Sequence, residues 1–328
     1  RAGAPRRAPV WYEPAPPEVR RAEVSVVIPT LGRYPYLPAA LESLRAQTVR
    51  PREVVVVDQN PAEERRPEVY EGWDDLGLRV VWQDERGQSL ARNTALAAVS
   101  HPYVFFFDDD SVAAPDLVER HLRVVLAGRF DVSTGVSYPP PPTDYRLPEG
   151  FAHPRVAQTL DTGNCLMPTA LARAMGGLDR NYDFGPGTDA DLGTRLYLAG
   201  RRIAHTPDAV RVHFKAPMGG LRVHGAHKTN TDAALLAPFP PVTQSYFGLR
   251  YLSPRQQRER MLLAFVTSKL ARPARRGRPA ARAAALLRVA LWGLLLPLKW
   301  RRSRSRARAL LRAGVRLAEF PPAPGEAS

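Results

Sequence analysis

The chain has 328 residues, 44% hydrophobic and 24% charged, with one cysteine, Cys165, and a formal charge of +15. A single thiol excludes an intramolecular disulfide framework, no Cys/His cluster has zinc spacing, and a reducing compartment is the default. Residues 250–328 hold 19 Lys and Arg against three acids, leaving 28 basic and 29 acidic residues in 1–249, so the near-neutral body argues against nucleic acid as a partner and the basicity belongs to a tail.

Residues 1–23 are rich in Pro and Arg without an apolar h-region, and read as an extended arm rather than a signal peptide. Val24 to Ile28 is an apolar, β-branched run broken only by Ser25 that stops at Pro29-Thr30 and Gly32, the pattern of a strand buried on both faces. Leu37, Leu41 and Leu44 follow at helical spacing. Val54 to Val57 ends in Asp58, Leu78 to Trp82 forms a third strand, and Ser89 to Val99 reads as a helix carrying Arg92. Val104 to Phe107 is a fourth strand that ends in Asp108-Asp109-Asp110. Alternating buried strands and helices predict an α/β fold with a mostly parallel central sheet covered on both faces.

Beyond Leu126, strands are expected at Asp131 to Tyr138, Thr162 to Met167, Arg202 to His205 and Ala209 to His213, with helices at Thr169 to Met175 and Ala190 to Leu198. Pro238, Pro240, Pro241 and the shift in charge put a boundary near 235. This divides the chain into 1–23, a main α/β domain at 24–235 with halves at 24–127 and 128–235, and a basic helical tail at 236–328.

In an open α/β sheet, ligands collect outside the carboxyl ends of the strands, where Thr30, Asp58 and the Asp cluster fall. Three clustered carboxylates demand a cation, and oxygen ligands suit Mg²⁺ or Mn²⁺ held with a substrate phosphate. The alternative is that these acids cap a turn. Asp58 can accept from a base N–H or a ribose hydroxyl, or stand as a solvated turn carboxylate. Arg92 can meet a phosphate, a base carbonyl or the Asp cluster.

Taken together, Val26-Val-Ile-Pro-Thr-Leu-Gly32, Val55-Val-Val-Asp58, Gly87-Gln-Ser-Leu-Ala-Arg-Asn93 and Phe105-Phe-Phe-Asp-Asp-Asp110 resemble the inverting GT-A glycosyltransferases of family 2. The resemblance runs from about Val24 to about Arg222, through Gly163-Asn164, Gly176-Gly-Leu-Asp179 and Gly187-Thr-Asp-Ala-Asp-Leu-Gly193. It implies a GT-A fold and metal-dependent transfer from a nucleoside diphosphate sugar, with Pro29, Thr30, Gly32, Arg33, Asp58, Arg92, Asp108 and Asp109 toward the donor. Asp110, Asp108 and His213 are the implied ligands of Mn²⁺ or Mg²⁺. Asp189 is the implied base, with Asp191 as a second candidate. Family members usually carry Glu-Asp where this chain has Thr188-Asp189, which bears on acceptor contacts.

Asn164, Thr188, Lys215 and Arg222 are candidate acceptor or loop residues, and Lys215, Gly219-Gly220, Arg222 and Lys228 suit a loop closing over a diphosphate. Asp58 leans toward UDP, with dTDP or GDP as alternatives, and the acceptor is a glycan or a lipid-linked group in cell-surface assembly. A catalytically silent sugar-nucleotide scaffold and a nucleotidyltransferase are the competing readings. For the latter, Pro29-Thr-Leu-Gly-Arg33 is a poor triphosphate loop.

In the tail, Val289 to Leu298 is apolar between Arg288 and Lys299, contains Gly293 and Pro297, and is flanked by Trp292 and Trp300. Ten residues are too few to span a bilayer. An interfacial helix on an anionic membrane, through residues 255–316, is expected and places the protein peripherally at the inner face of the cytoplasmic membrane. The alternative is a helical appendage packed against the catalytic domain.

Overall fold

The computed structural model describes residues 17–127, 130–140, 154–217, 219–220, 236–270 and 279–320. Arg222, Lys228 and residues 1–16 of the N-terminal arm lie outside these. The chain forms two compact units, one comprising 1–179, 188–220 and 317–328, the other 180–187 and 221–316.

The first unit is built on a nine-stranded sheet. Its strands are β1 (Val24–Thr30), β2 (Glu53–Asp58), β3 (Leu78–Trp82), β4 (Tyr103–Phe107), β5 (Ser111–Ala113), β6 (Val132–Tyr138), β7 (Arg155–Ala157), β8 (Asn164–Pro168) and β9 (Ile203–His213). They run in the order β3-β2-β1-β4-β8-β6-β9-β5, with β7 paired to β9. The first four strands are mutually parallel. β8 lies antiparallel to both β4 and β6, so the second half of the sheet is mixed.

Helices α1 (Pro17–Arg21), α2 (Leu37–Arg45), α3 (Gln88–Ala98), α4 (Leu117–Leu126), α5 (Thr169–Ala174) and α6 (Thr188–Leu198) flank the sheet. The pleat divides each buried strand between two cores. Val54, Val56, Phe105 and Phe107 pack with Leu37, Leu41 and Leu122 on one side, while Val55, Val57 and Phe106 pack with Ala91, Leu96 and Leu192 on the other. This explains the apolar runs of β1, β2 and β4, interrupted only by Ser25.

Three expectations are corrected. The end of the arm is not extended: Pro17–Arg21 is a helical turn that buries Val19. The strands expected at 202–205 and 209–213 are one eleven-residue strand, β9. Short strands β5 and β7 were not evident in the sequence because three-residue strands carry too little periodicity.

The second unit contains α7 (Val242–Tyr251), α8 (Pro254–Leu270) and α9 (Pro279–Ala313). Phe239, Met261, Phe265 and Leu296 form its small core, with Trp292 and Trp300 packed against it. Val289 to Leu298 falls inside α9, which also contains Pro297. Among the described residues no helix is long and apolar enough to cross a membrane.

One buried polar chain locks α4 to the mixed half of the sheet. Asn164 Nδ2 donates to the carbonyls of Val136 (3.2 Å) and Ala209 (3.1 Å), which leaves Oδ1 to accept from His121 Nε2 at 3.0 Å. His121 Nδ1 therefore accepts from Ser133 Oγ at 2.8 Å, and Ser133 accepts from Thr206 at 2.7 Å. Every partner is satisfied by a neutral ring.

Burial pushes His121 down to about 4 from 6.5. The folded state thus holds a neutral ring where the unfolded chain takes a proton, so this stabilisation is complete above pH 6.5 and is lost as pH falls toward 4. Urea unfolding at pH 7 and pH 5 is expected to show the wild type losing on the order of 2 kcal/mol more than a His121→Gln variant.

Candidate active site

The carboxyl ends of β1, β2 and β4 deliver the predicted donor residues to one edge of the sheet. β4 releases Asp108, Asp109 and Asp110, and β5 begins at the next residue. β5 pairs antiparallel with β9, setting Ser111 opposite His213 and Ala113 opposite Arg211. That register brings His213 to the Asp cluster. Asp108, Asp110 and His213 offer ligand atoms that all lie within 4.8 Å of one another.

Each aspartate has a different environment. Asp108 accepts from Arg92 Nη2 and from Arg211 Nη1, both at 2.7 Å. Burial opposes ionisation there, but Arg211 and then Arg92 outweigh it and hold Asp108 well below the usual carboxylate range. Asp109 accepts from Thr30 Oγ1 (2.8 Å) and Arg33 Nη1 (2.9 Å). Its burial nevertheless pushes it up to about 6, with Asp110 adding to the rise.

Asp110 Oδ2 accepts from Ala216 N at 2.9 Å. Its Oδ1 is buried without a hydrogen bond, 3.2 Å from His213 Nε2 and 3.3 Å from Arg33 Nη1. Burial raises its pKa and His213 and Arg33 lower it, with a net fall. An orphaned carboxylate oxygen, a second carboxylate and an imidazole form a donor set that fits Mn²⁺ or Mg²⁺.

Asp58 departs from expectation. It is fully buried, and four donors fill it: Tyr34 and Tyr70 hydroxyls on Oδ2, both at 2.6 Å, and the Asn60 backbone (2.8 Å) and side-chain amide (2.7 Å) on Oδ1. Burial and the Asp58 hydrogen bond push Tyr34 up to about 12. No acceptor capacity faces the site, so Asp58 does not read a base N–H in this arrangement and the lean toward UDP loses its basis. Asn60 Oδ1 in turn accepts from Gly32 N at 2.7 Å, which fixes the turn after β1. Pro29, at the end of β1, is only partly buried. A cleft of about 430 Å³ opens beside this turn, lined by Gly32, Tyr34, Asn60, Glu64, Arg65 and Arg66 among others.

The segment after β9 lies back over the β1 turn. Phe214 N donates to Asp110 O (2.9 Å) and Gly220 N to Leu31 O (2.6 Å). Gly219, at φ +72°, lies so close that a Cβ would overlap the Gly32 carbonyl. Lys215 is exposed at φ 51° and makes no contact with the Asp cluster among the described residues.

Asp189 and Asp191 both sit in the first turn of α6, but they differ sharply. Asp189 Oδ1 accepts from Thr162 Oγ1 (2.6 Å) and Thr162 N (3.1 Å). Its Oδ2 takes no hydrogen bond among the described residues, and the side chain is exposed. Although water reaches it, the protein packed around it raises its pKa, Asp161 adds to the rise, and the Thr162 bonds counter it. Asp191 is buried and bound to Arg195 at 2.9 Å, so it serves the core rather than the site.

Two candidate acceptor residues are also internal. Asn164 is the buried hub described above. Thr188 is 4% exposed, and its hydroxyl has no hydrogen-bond partner among the described residues. Arg92 is buried, meeting Asp108, the Thr162 carbonyl (3.2 Å) and the Gln88 carbonyl (3.3 Å). Arg211, Asp161 and Thr162 escaped the sequence reading. The available signal was period two along β9, which puts Arg211 on the same side as His213.

Residues 25–169 match the family described as Glycosyl transferase family 2. The validoxylamine A glucosyltransferase of Streptomyces hygroscopicus subsp. limoneus is 28% identical over 218 residues, 54% of this chain and 48% of that protein. Glycosyltransferase GlyA of Streptococcus pneumoniae serotype 4 is 29% identical over 118 residues, 35% of this chain and 17% of that protein. The chain thus spans half or less of the length of these curated relatives.

Among solved structures, mannosyltransferase PcManGT from Pyrobaculum calidifontis, in complex with GDP-Man and Mn²⁺, superposes with a TM-score of 0.56 at 19% identity, covering 91% of this chain and 90% of that one. S. aureus TarS 1–349 with UDP-GlcNAc gives 0.54 at 17%, covering 89% and 92%. These likenesses are of fold. Residues 25–169, from β1 to the start of α5, thus resemble a glycosyl transferase family 2 domain, and the fold is that of the GT-A glycosyltransferases.

Proposed function

We propose that this chain is a metal-dependent inverting glycosyltransferase that moves a sugar from a nucleoside diphosphate sugar to an acceptor hydroxyl. The observation that carries the reading is the division of labour among carboxylates. Asp108 and Asp110 converge with His213 at the strand ends, while Asp189, on a separate helix, keeps one oxygen open. Asp108, Asp110 and His213 would hold Mn²⁺ or Mg²⁺, which when bound offsets the negative charge that develops on the departing diphosphate.

The chain's own residues do the remainder. Thr30 and Arg33 hold Asp109, and Arg92 and Arg211 keep Asp108 ionised. Thr162 fixes Asp189 Oδ1, so Oδ2 is presented in one orientation to take the proton of the attacking hydroxyl. A raised pKa makes Asp189 a stronger base than an ordinary aspartate. Direct displacement by that hydroxyl inverts the sugar carbon without a covalent enzyme intermediate. The nucleoside lies along the cleft at Tyr34, Asn60 and Arg66. UDP-, dTDP- and GDP-sugars are the donors to test, and the acceptor is a glycan or lipid-linked hydroxyl used in cell-surface assembly.

The tail supports a peripheral position at the inner face of the membrane. Leu287, Leu294 and Leu298 are exposed on one face of α9, and exposed Arg301, Arg308 and Arg312 continue that face by helical spacing. Exposed Leu262, Leu263 and Val266 on α8 add apolar surface. An apolar stripe leading into a basic one suits an anionic bilayer surface.

Binding of Mn²⁺, followed by its spin resonance signal, is expected to weaken by about 10-fold or more in Asp110→Asn and His213→Ala; undiminished binding would remove them from the metal site. Asp189→Asn is expected to leave donor binding intact while nucleoside diphosphate release falls by roughly 100-fold. Tight donor binding with no turnover by the wild type, whatever the acceptor, would favour a silent scaffold. In sedimentation with phosphatidylglycerol vesicles at moderate salt, the full chain is expected in the pellet and the triple Leu287→Ser, Leu294→Ser, Leu298→Ser variant in the supernatant. Equal pelleting of both would overturn the tail assignment.

A further inference from the structure

Arg211 is 2% exposed at its side chain and donates from Nε and from both Nη nitrogens. Nη1 donates to Asp108 Oδ2 (2.7 Å) and Ser111 Oγ (3.0 Å). Nη2 donates to Asp161 Oδ1 (3.1 Å) and Oδ2 (3.0 Å), and Nε to Ser137 Oγ (2.7 Å). The Ser137 hydroxyl donates in turn to Asp161 Oδ2 at 2.8 Å, and Gly163 N donates to Asp161 Oδ1 at 2.9 Å. The turn that holds Asp161 is therefore pinned from several directions. Its next residue, Thr162, carries both hydrogen bonds to Asp189, and its carbonyl accepts from Arg92, which itself binds Asp108.

The packing leaves no slack at this junction. A Cβ on Gly163 would overlap both Asp108 Oδ2 and Arg211 Nη1. Two guanidinium groups thus bridge the same carboxylate to the same turn, one from β9 and one from α3.

We propose that Arg211 and the Asp161–Thr162 turn form one positioning unit that ties the carboxylate Asp108 of the metal cluster to the carboxylate Asp189. The assignment rests on the transferase reading for its purpose, but the linkage itself is a property of the chain. The unit holds the two halves of the site in register, since a shift of the turn moves Asp189 and Asp108 together. It also sets the basicity of Asp189 by opposing influences. The Asp161 carboxylate disfavours a second negative charge beside it, and the Thr162 hydroxyl and amide favour that charge. Among charged groups, Asp161 and then Arg92 bear most on Asp189, with the Thr162 donors between them.

Two substitutions are therefore expected to act in opposite directions. Asp161→Asn removes the repelling charge and keeps a polar side chain of the same size, so Asp189 titrates at lower pH. Thr162→Val removes a hydrogen bond to the ionised form, so Asp189 titrates at higher pH. Carboxyl ¹³C resonances of the full chain, labelled at aspartate and assigned by the signal lost in Asp189→Asn, report both midpoints without substrate. In turnover, the acid limb of the pH profile should follow the same two directions. In Asp161→Asn, kcat is expected to fall by about 10-fold with the KM for donor little changed, because a weaker base gains less in the transition state.

Arg211→Lys keeps the charge but loses the fork, and should weaken Mn²⁺ binding as well as kcat, a joint loss that damage to one half alone would not give. Midpoints that stay fixed, or that move together in both variants, would overturn the proposal even in an active enzyme. Midpoints that move apart in a chain that releases no nucleoside diphosphate from any sugar donor would leave the linkage standing and remove the transferase reading.

Discussion

The ionised Asp108 is the constraint on which the site depends. A carboxylate this enclosed is tolerated only with full compensation, and here two guanidinium groups supply it. Arg92 arrives from α3 and Arg211 from β9, so the pair also braces the parallel half of the sheet against the mixed half. Removing either guanidinium would leave the carboxylate one cation where it now has two. Stability and site geometry are consequently set by the same contacts.

The same economy shapes the turn after β1. Asp58 spends its whole acceptor capacity on Tyr34, Tyr70 and Asn60, and Asn60 passes the order on to Gly32. The strand-end aspartate acts here as a post for the cleft wall.

Much of the fold was legible because its signals are local. Val24 to Ile28, Val54 to Val57 and Val104 to Phe107 are apolar runs broken only by Ser25 since each is buried on both faces, and the helices between them keep their 3.6 period. The residues that begin or end these elements were legible too, for a strand end is a position in sequence. Arg211 and Asp161 gave no such signal. Each is an ordinary charged residue until β9 pairs with β5 and the 161–163 turn closes over them. Likewise Asn164 and Asp191 stand beside site residues in the chain but point inward, Asn164 because its amide meets His121 and two carbonyls and Asp191 because it meets Arg195.

The sequence by itself determined the alternation of strands and helices, the family resemblance and the chemical inventory of the site, because these follow from side-chain type and short-range period. Only the tertiary structure decided which carboxylates have open oxygens and which are spent. That depends on donors drawn from as far as 103 residues away, as Arg211 is from Asp108, with Tyr34 brought 24 residues to Asp58. Asp189 differs from Asp191 two residues on because it meets a turn 27 residues before it that leaves an oxygen open, whereas Asp191 turns inward to Arg195 one helical turn on.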